Sequence, residues 1–107
     1  MDLSKKKCIP CEGGIPMLKE DEVAEYLHHI HDAWRVTENK KLSREISFMD
    51  YKQTMAYVNR VADLADTEGH HPVLHVYYSK VIIDLWTHAI GGLSENDFIL
   101  ASKIDRL

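Results

Sequence analysis

The chain has 107 residues, 45% of them hydrophobic and 28% charged, which fits one globular domain with a modest core and leaves little for a second. Thirteen basic against 17 acidic residues give a formal charge of −4, which argues against the basic face that nucleic-acid binding needs. No apolar run approaches the ~20 residues that cross a bilayer. The polar start from Met1 to Lys7 has no apolar stretch behind it, so no signal peptide and no membrane partner are expected, and a cytoplasmic location is.

Residues 1–16 hold Pro10, Pro16, Gly13 and Gly14 and read as an irregular N-terminal arm. The remaining stretch, residues 17–107, reads as a single domain. Cys8 and Cys11 form a C-x-x-C pair. The second half of a zinc ribbon is missing, and so is the strand before the pair that a thioredoxin-like site needs, so the pair reads as ordinary tail thiols.

A first helix is predicted from about Lys19, with Glu20, Asp21 and Glu22 at its positive end. Val23, Leu27 and Ile30 form its apolar face. His28, His29 and His31 fall in its last turn and do not all share a face, so they read as a solvated helix end. Next, Trp34–Glu38 and Leu42–Phe48 alternate as a hairpin that turns at Asn39-Lys40.

A second helix is predicted from about Asp50 to Thr67, with Tyr51, Met55, Val58, Ala62 and Ala65 facing the core. Gly69 suits its left-handed cap. Two β-rich runs, Val73–Tyr78 and Val81–Thr87, flank Ser79-Lys80 and read as a second hairpin. Ser94 and Asp97 have the spacing of a capping box for a third helix, whose apolar face is Phe98, Ala101, Ile104 and Leu107. The element order is therefore α-β-β-α-β-β-α.

The chemistry concentrates in His70, His71 and His88. With Ser79-Lys80 as a two-residue turn, Tyr78 faces Val81, His75 faces Asp84, Val73 faces Trp86 and His71 faces His88. Directly opposed residues place their Cβ atoms ~4.5–5.5 Å apart. Gly69 ends the helix before His70, and Pro72 keeps His71 out of helical backbone. Two imidazoles at such a junction can cap the helix, whose carbonyl end favours a cation. A third imidazole opposite them favours a chemical role, because imidazole titrates near pH ~6.5. Two chemistries suit the trio: a His₃ metal site, or general acid–base catalysis without metal, as a dehydratase needs. Adjacent residues in extended chain point apart, which favours proton transfer. His75 and Asp84 read as a surface or interface pair. No phosphate loop, nucleophile elbow or dinucleotide fingerprint is present.

The spacing resembles that of the pterin-4a-carbinolamine dehydratases. An acid, Asp66, stands four residues before His70-His71-Pro72. Then come the aromatic Tyr78, the third histidine His88, and Asp97. Asn59-Arg60-Val61-Ala62, Ser79-Lys80-Val81, Thr87-His88 and Gly92-Leu93-Ser94 also resemble the family, as does the arm from Cys8 to Gly14. The resemblance implies an α+β fold: a four-stranded antiparallel sheet with three helices packed on one face. It implies dehydration of 4a-hydroxytetrahydropterin to quinonoid dihydropterin, with no metal and no cofactor beyond the pterin substrate. His70, His71 and His88 would be catalytic. Asp66, Pro72, Tyr78, Thr87, Ala89, Ile90 and Asp97 would contact or line the pterin. The family is dimeric or tetrameric and recycles the cofactor of aromatic amino-acid hydroxylases. Some animal members act instead as dimerisation cofactors, so a non-catalytic interaction module is the alternative. Val73-Leu74 replaces the common Glu-Trp, Ser79 a frequent Asn, and Ile90 a Cys of some animal members.

Overall fold

The computed structural model describes residues 2–9 and 15–107. After a short 3-10 turn at Leu3–Lys5 come α1 (Glu20–Leu27), β1 (Arg35–Thr37), β2 (Lys41–Ser47), α2 (Tyr51–Glu68), β3 (Val73–Val76), β4 (Lys80–Leu85) and α3 (Glu95–Ile104). A second 3-10 turn, His88–Ile90, lies between β4 and α3. The strands form one antiparallel sheet in the order β1-β2-β4-β3, and the helices pack on one face. This is the predicted α+β fold in the predicted element order.

Local chemistry sets the element ends. The Glu22 carboxylate accepts the Lys19 N–H at 2.9 Å and caps α1. Asp50 accepts the Gln53 N–H at 2.8 Å and caps α2. Gly69, with φ of 67°, closes α2 in the left-handed conformation that a side chain would strain. The Ser94–Asp97 box caps α3.

One sheet face carries Leu42, Val81, Ile83 and Leu85, all buried, with Leu42 opposite Leu85. It meets Tyr57 and Val61 of α2 and Phe98, Leu100, Ala101 and Ile104 of α3 in a single core. The face of α2 that does this is turned from the predicted stripe. Thr54, Tyr57, Val61 and Ala65 are its buried line, while Tyr51 is 51% exposed. The cause is Thr54, a polar residue that apolar patterning passes over. Its hydroxyl lies 2.9 Å from the Asp50 carbonyl oxygen and 3.1 Å from that of Tyr78, so it is buried with its bonding satisfied.

The first hairpin turns through Glu38–Lys40, which contains the predicted pair, and the second turns one residue earlier than predicted. In the first, Glu38 and Asn39 have positive φ and the Lys40 N–H bonds the Thr37 carbonyl. In the second, the Tyr77 N–H bonds the Lys80 carbonyl, so Tyr78-Ser79 is the turn. His75 therefore faces Ile82 and Val73 faces Asp84. Tertiary bonds pin this turn: Thr54 reaches the Tyr78 carbonyl, and the Phe48 N–H donates to that of Ser79 at 2.7 Å. The shift moves each partner by two residues, so every side chain keeps its face.

Candidate active site

The end of α2 delivers the first two histidines. The Gly69 N–H bonds the Asp66 carbonyl and the His70 N–H reaches back to Ala65. This sharp exit turns His70 inward, to 6% exposure, while Pro72 sends the chain on into β3. His71, one residue on, keeps its side chain 62% exposed. Its Nε2 lies 2.9 Å from Asp66 Oδ1, so the acid four residues before the His-His pair holds the second ring.

The start of α3 delivers the partner of the first ring. His70 Nε2 lies 2.6 Å from Asp97 Oδ1. The other Asp97 oxygen accepts the Thr87 hydroxyl and the Ser94 N–H, each at 2.9 Å. Thr87 and Ser94 hydroxyls are themselves 2.7 Å apart. An ionised carboxylate only accepts, so each His–Asp bond places a proton on Nε2 and puts the neutral ring's basic lone pair at Nδ1.

The third histidine opens the 3-10 turn after β4, its ring 4.2 Å from that of Trp86. The ladder ends at Val73–Asp84, so His71 and His88 are not the cross-strand pair that register counting predicts. They still meet. Gly69, His70, His71, His88 and Ala89 line one open depression of about 360 Å³.

The other predicted residues divide. Ala89 lines the depression, and Asp66 is joined to it through its bond to His71. Pro72 and Ile90 are half-buried beside it in the chain. Thr87 and Asp97 are fully buried, against the expected contact with the pterin: Asp97 bonds His70 and Thr87 bonds Asp97, with no surface for a ligand within this chain. Tyr78 stands apart from the histidines of its own chain. Strand β3 carries the chain roughly 13 Å from the histidines, at ~3.3 Å per residue, and Tyr78 stacks on Tyr51 beyond its far end. Sequence reasoning missed Trp86 as the support of His88, although an aromatic two residues before a candidate histidine was a usable signal. It also treated Ser94 as a helix cap alone.

The remaining histidines lie elsewhere. His75, half exposed, bonds the buried Asp84 at 2.9 Å on the sheet face away from the helices. His28 caps the end of α1, and His31 Nδ1 accepts the Ala33 N–H. Cys11 lies outside the described residues. Among those residues, no helix is long and apolar enough to cross a membrane.

Comparison with known proteins agrees with the spacing. The family model described as pterin 4 alpha carbinolamine dehydratase matches residues 16–107. A protein of Alkaliphilus metalliredigens (strain QYMF) named "Putative pterin-4-alpha-carbinolamine dehydratase" is 44% identical over 105 residues, 98% of this chain and 95% of its own. One of the same name from Nitrosomonas eutropha is 48% identical over 106 residues, 99% of this chain and 93% of its own. The crystal structure of a transcriptional coactivator/pterin dehydratase from Brucella melitensis superposes with a TM-score of 0.78 at 27% identity, covering 85% of this chain and 97% of that one. A pterin dehydratase-like RuBisCO assembly factor of the alpha-carboxysome gives 0.60 at 27% identity, covering 71% and 89%. The chain belongs to the pterin-4-alpha-carbinolamine dehydratase family.

Proposed function

We propose that this chain removes water from a 4a-hydroxytetrahydropterin, giving quinonoid dihydropterin, by histidine acid–base catalysis. The reaction breaks the C4a–O and N5–H bonds and moves no electrons to an acceptor. It needs one group to protonate the departing hydroxyl and another to take the N5 proton. The observation that carries the reading is three imidazoles around one depression, two of them each hydrogen-bonded to a carboxylate. His70, backed by buried Asp97, suits the base, because a carboxylate at Nε2 stabilises the imidazolium that forms. His71, open to solvent and held by Asp66, suits the acid, because water can reprotonate it. His88, against Trp86, orients the ring. Substrate would come from an aromatic amino-acid hydroxylase, and the working form would be a homodimer or homotetramer.

The test is the rate of carbinolamine dehydration against the uncatalysed background. Each positioned acid or base is worth roughly 10²–10⁴-fold, so His71→Ala with His88→Ala is expected to lose at least ~100-fold. A double variant at the wild-type rate would overturn the mechanism. The proton transfers use side chains throughout, so dialysis against a chelator is expected to leave the rate unchanged. A loss restored by one divalent metal would instead favour a metal site.

A further inference from the structure

Residues 2–9 lie outside the stretch that the family model matches, yet they are bonded to residues that flank His70 and Asp97 in the chain. Leu3 is 1% exposed in the core. Further on, the Cys8 N–H donates to Glu68 Oε1 at 3.1 Å. Ile9 exchanges two bonds with the Asn96 side chain: its N–H donates to Oδ1 at 3.0 Å, and Nδ2 donates to its carbonyl at 2.7 Å.

The two anchor points are what matter. Glu68 is the last residue of α2, separated from His70 by Gly69 alone. Asn96 immediately precedes Asp97 in the first turn of α3. The arm therefore grips the chain beside both partners of the His70–Asp97 bond. Glu68 ties the same elements once more through Lys103 of α3 at 3.4 Å.

We infer that the N-terminal arm is a positioning element of the active site: the backbone of Cys8 and Ile9, through Glu68 and Asn96, holds His70 against Asp97. The inference rests on the acid–base reading of His70. Without the clasp, the end of α2 and the start of α3 meet through the histidine–aspartate pair with one tie fewer, and a small displacement of a reacting group is costly. A misplacement of about 1 Å can cost ~10²-fold in rate, so loosening the arm is expected to cost less than that.

The test compares Ile9→Ala with Ile9→Pro in the full chain. Ile9 is 59% exposed, and alanine keeps the N–H that bonds Asn96, whereas proline removes it. Ile9→Ala is expected to match wild type. Ile9→Pro is expected to lower kcat by roughly 5–20-fold, within the cost of a small misplacement, with KM changed less than about 2-fold. It should also weaken the low-field NMR signal of the proton between His70 and Asp97. If Ile9→Pro does not fold, Asn96→Ala removes both bonds from the α3 side and is read in the same way. A proline variant equal to the alanine variant in kcat and in that signal would overturn the inference. The NMR signal needs no substrate. It therefore tests the arm even if wild-type protein fails to dehydrate the carbinolamine, an outcome that would overturn the functional reading alone.

Discussion

Asp97 carries two tasks with one carboxylate. One oxygen takes His70, and the other takes the Ser94 N–H and the Thr87 hydroxyl. Capping α3 and placing the buried histidine are thus one structural event. Asp97→Ala should show both losses. The His70 N–H and the Thr87 hydroxyl would lose a buried acceptor, at about 1–3 kcal/mol for an unsatisfied group, together with part of a cap worth about 1 kcal/mol. Denaturant unfolding reads that sum. In kinetics, kcat should fall about 10–100-fold, less than the ~10²–10⁴-fold of removing a positioned acid–base group because His70 itself remains, with little change in KM. Asp97→Asn, whose Oδ1 still accepts from His70, should recover part of the stability. If Asp97→Ala raised KM and left kcat intact, Asp97 would be a binding group after all, against its burial. At this scale the sequence was informative about type and spacing. His70, His71, His88 and Asp66 reach one place as the signature implies. It was silent about depth. A capping aspartate and one that holds a buried histidine look alike until the residue opposite is known, and here one residue does both.

The elements were legible wherever short-range chemistry decides them. The acids in the first turn of α1, Gly69 after α2 and the Ser94–Asp97 box mark ends that the structure keeps. The misses have tertiary causes. The α2 stripe is turned because Thr54 is buried by bonds to two carbonyls, and the β3–β4 turn moves because Thr54 and Phe48 hold its carbonyls. No periodicity in the chain reports either contact. The outer sheet face gives a prediction of its own. Burial pushes the Asp84 carboxyl up, but the Ser43 hydroxyl, His75 and Lys41 outweigh it and hold the pKa below the ordinary 3.8. A carboxylate lowered by folding contributes stability that is whole above the ordinary value and is lost as pH falls through the folded one. Unfolding midpoints should therefore drop steeply below about pH 4, the ordinary aspartate range. Asp84→Asn should be less stable at neutral pH and show a shallower acid slope. An unchanged slope would mean that the Asp84 cluster contributes nothing to acid unfolding.

At the scale of the whole molecule, the sequence divides into arm and domain, and the structure joins them. Pro10, Gly13, Gly14 and Pro16 make residues 1–16 look irregular, and one leucine among polar neighbours shows no period. Yet Leu3 lies in the same buried cluster as Phe98, Ile99 and Leu100. Asp2 and Lys6 hold the arm from outside, through Arg106 at 3.7 Å and Glu95 at 3.2 Å. Exposed pairs of that kind are worth at most about 1 kcal/mol, so the anchoring is mainly apolar. Leu3→Ala should then behave as a core truncation, costing about 2–5 kcal/mol. That is a large part of the ~5–15 kcal/mol that holds a domain folded. The check is a lower denaturation midpoint with an unchanged slope, because the folded state stays compact and only its stability falls. A cost below about 0.5 kcal/mol, the range of surface substitutions, would mean that the arm is a detachable tail. It would also remove the rigid base from which Cys8 and Ile9 are proposed to hold the site.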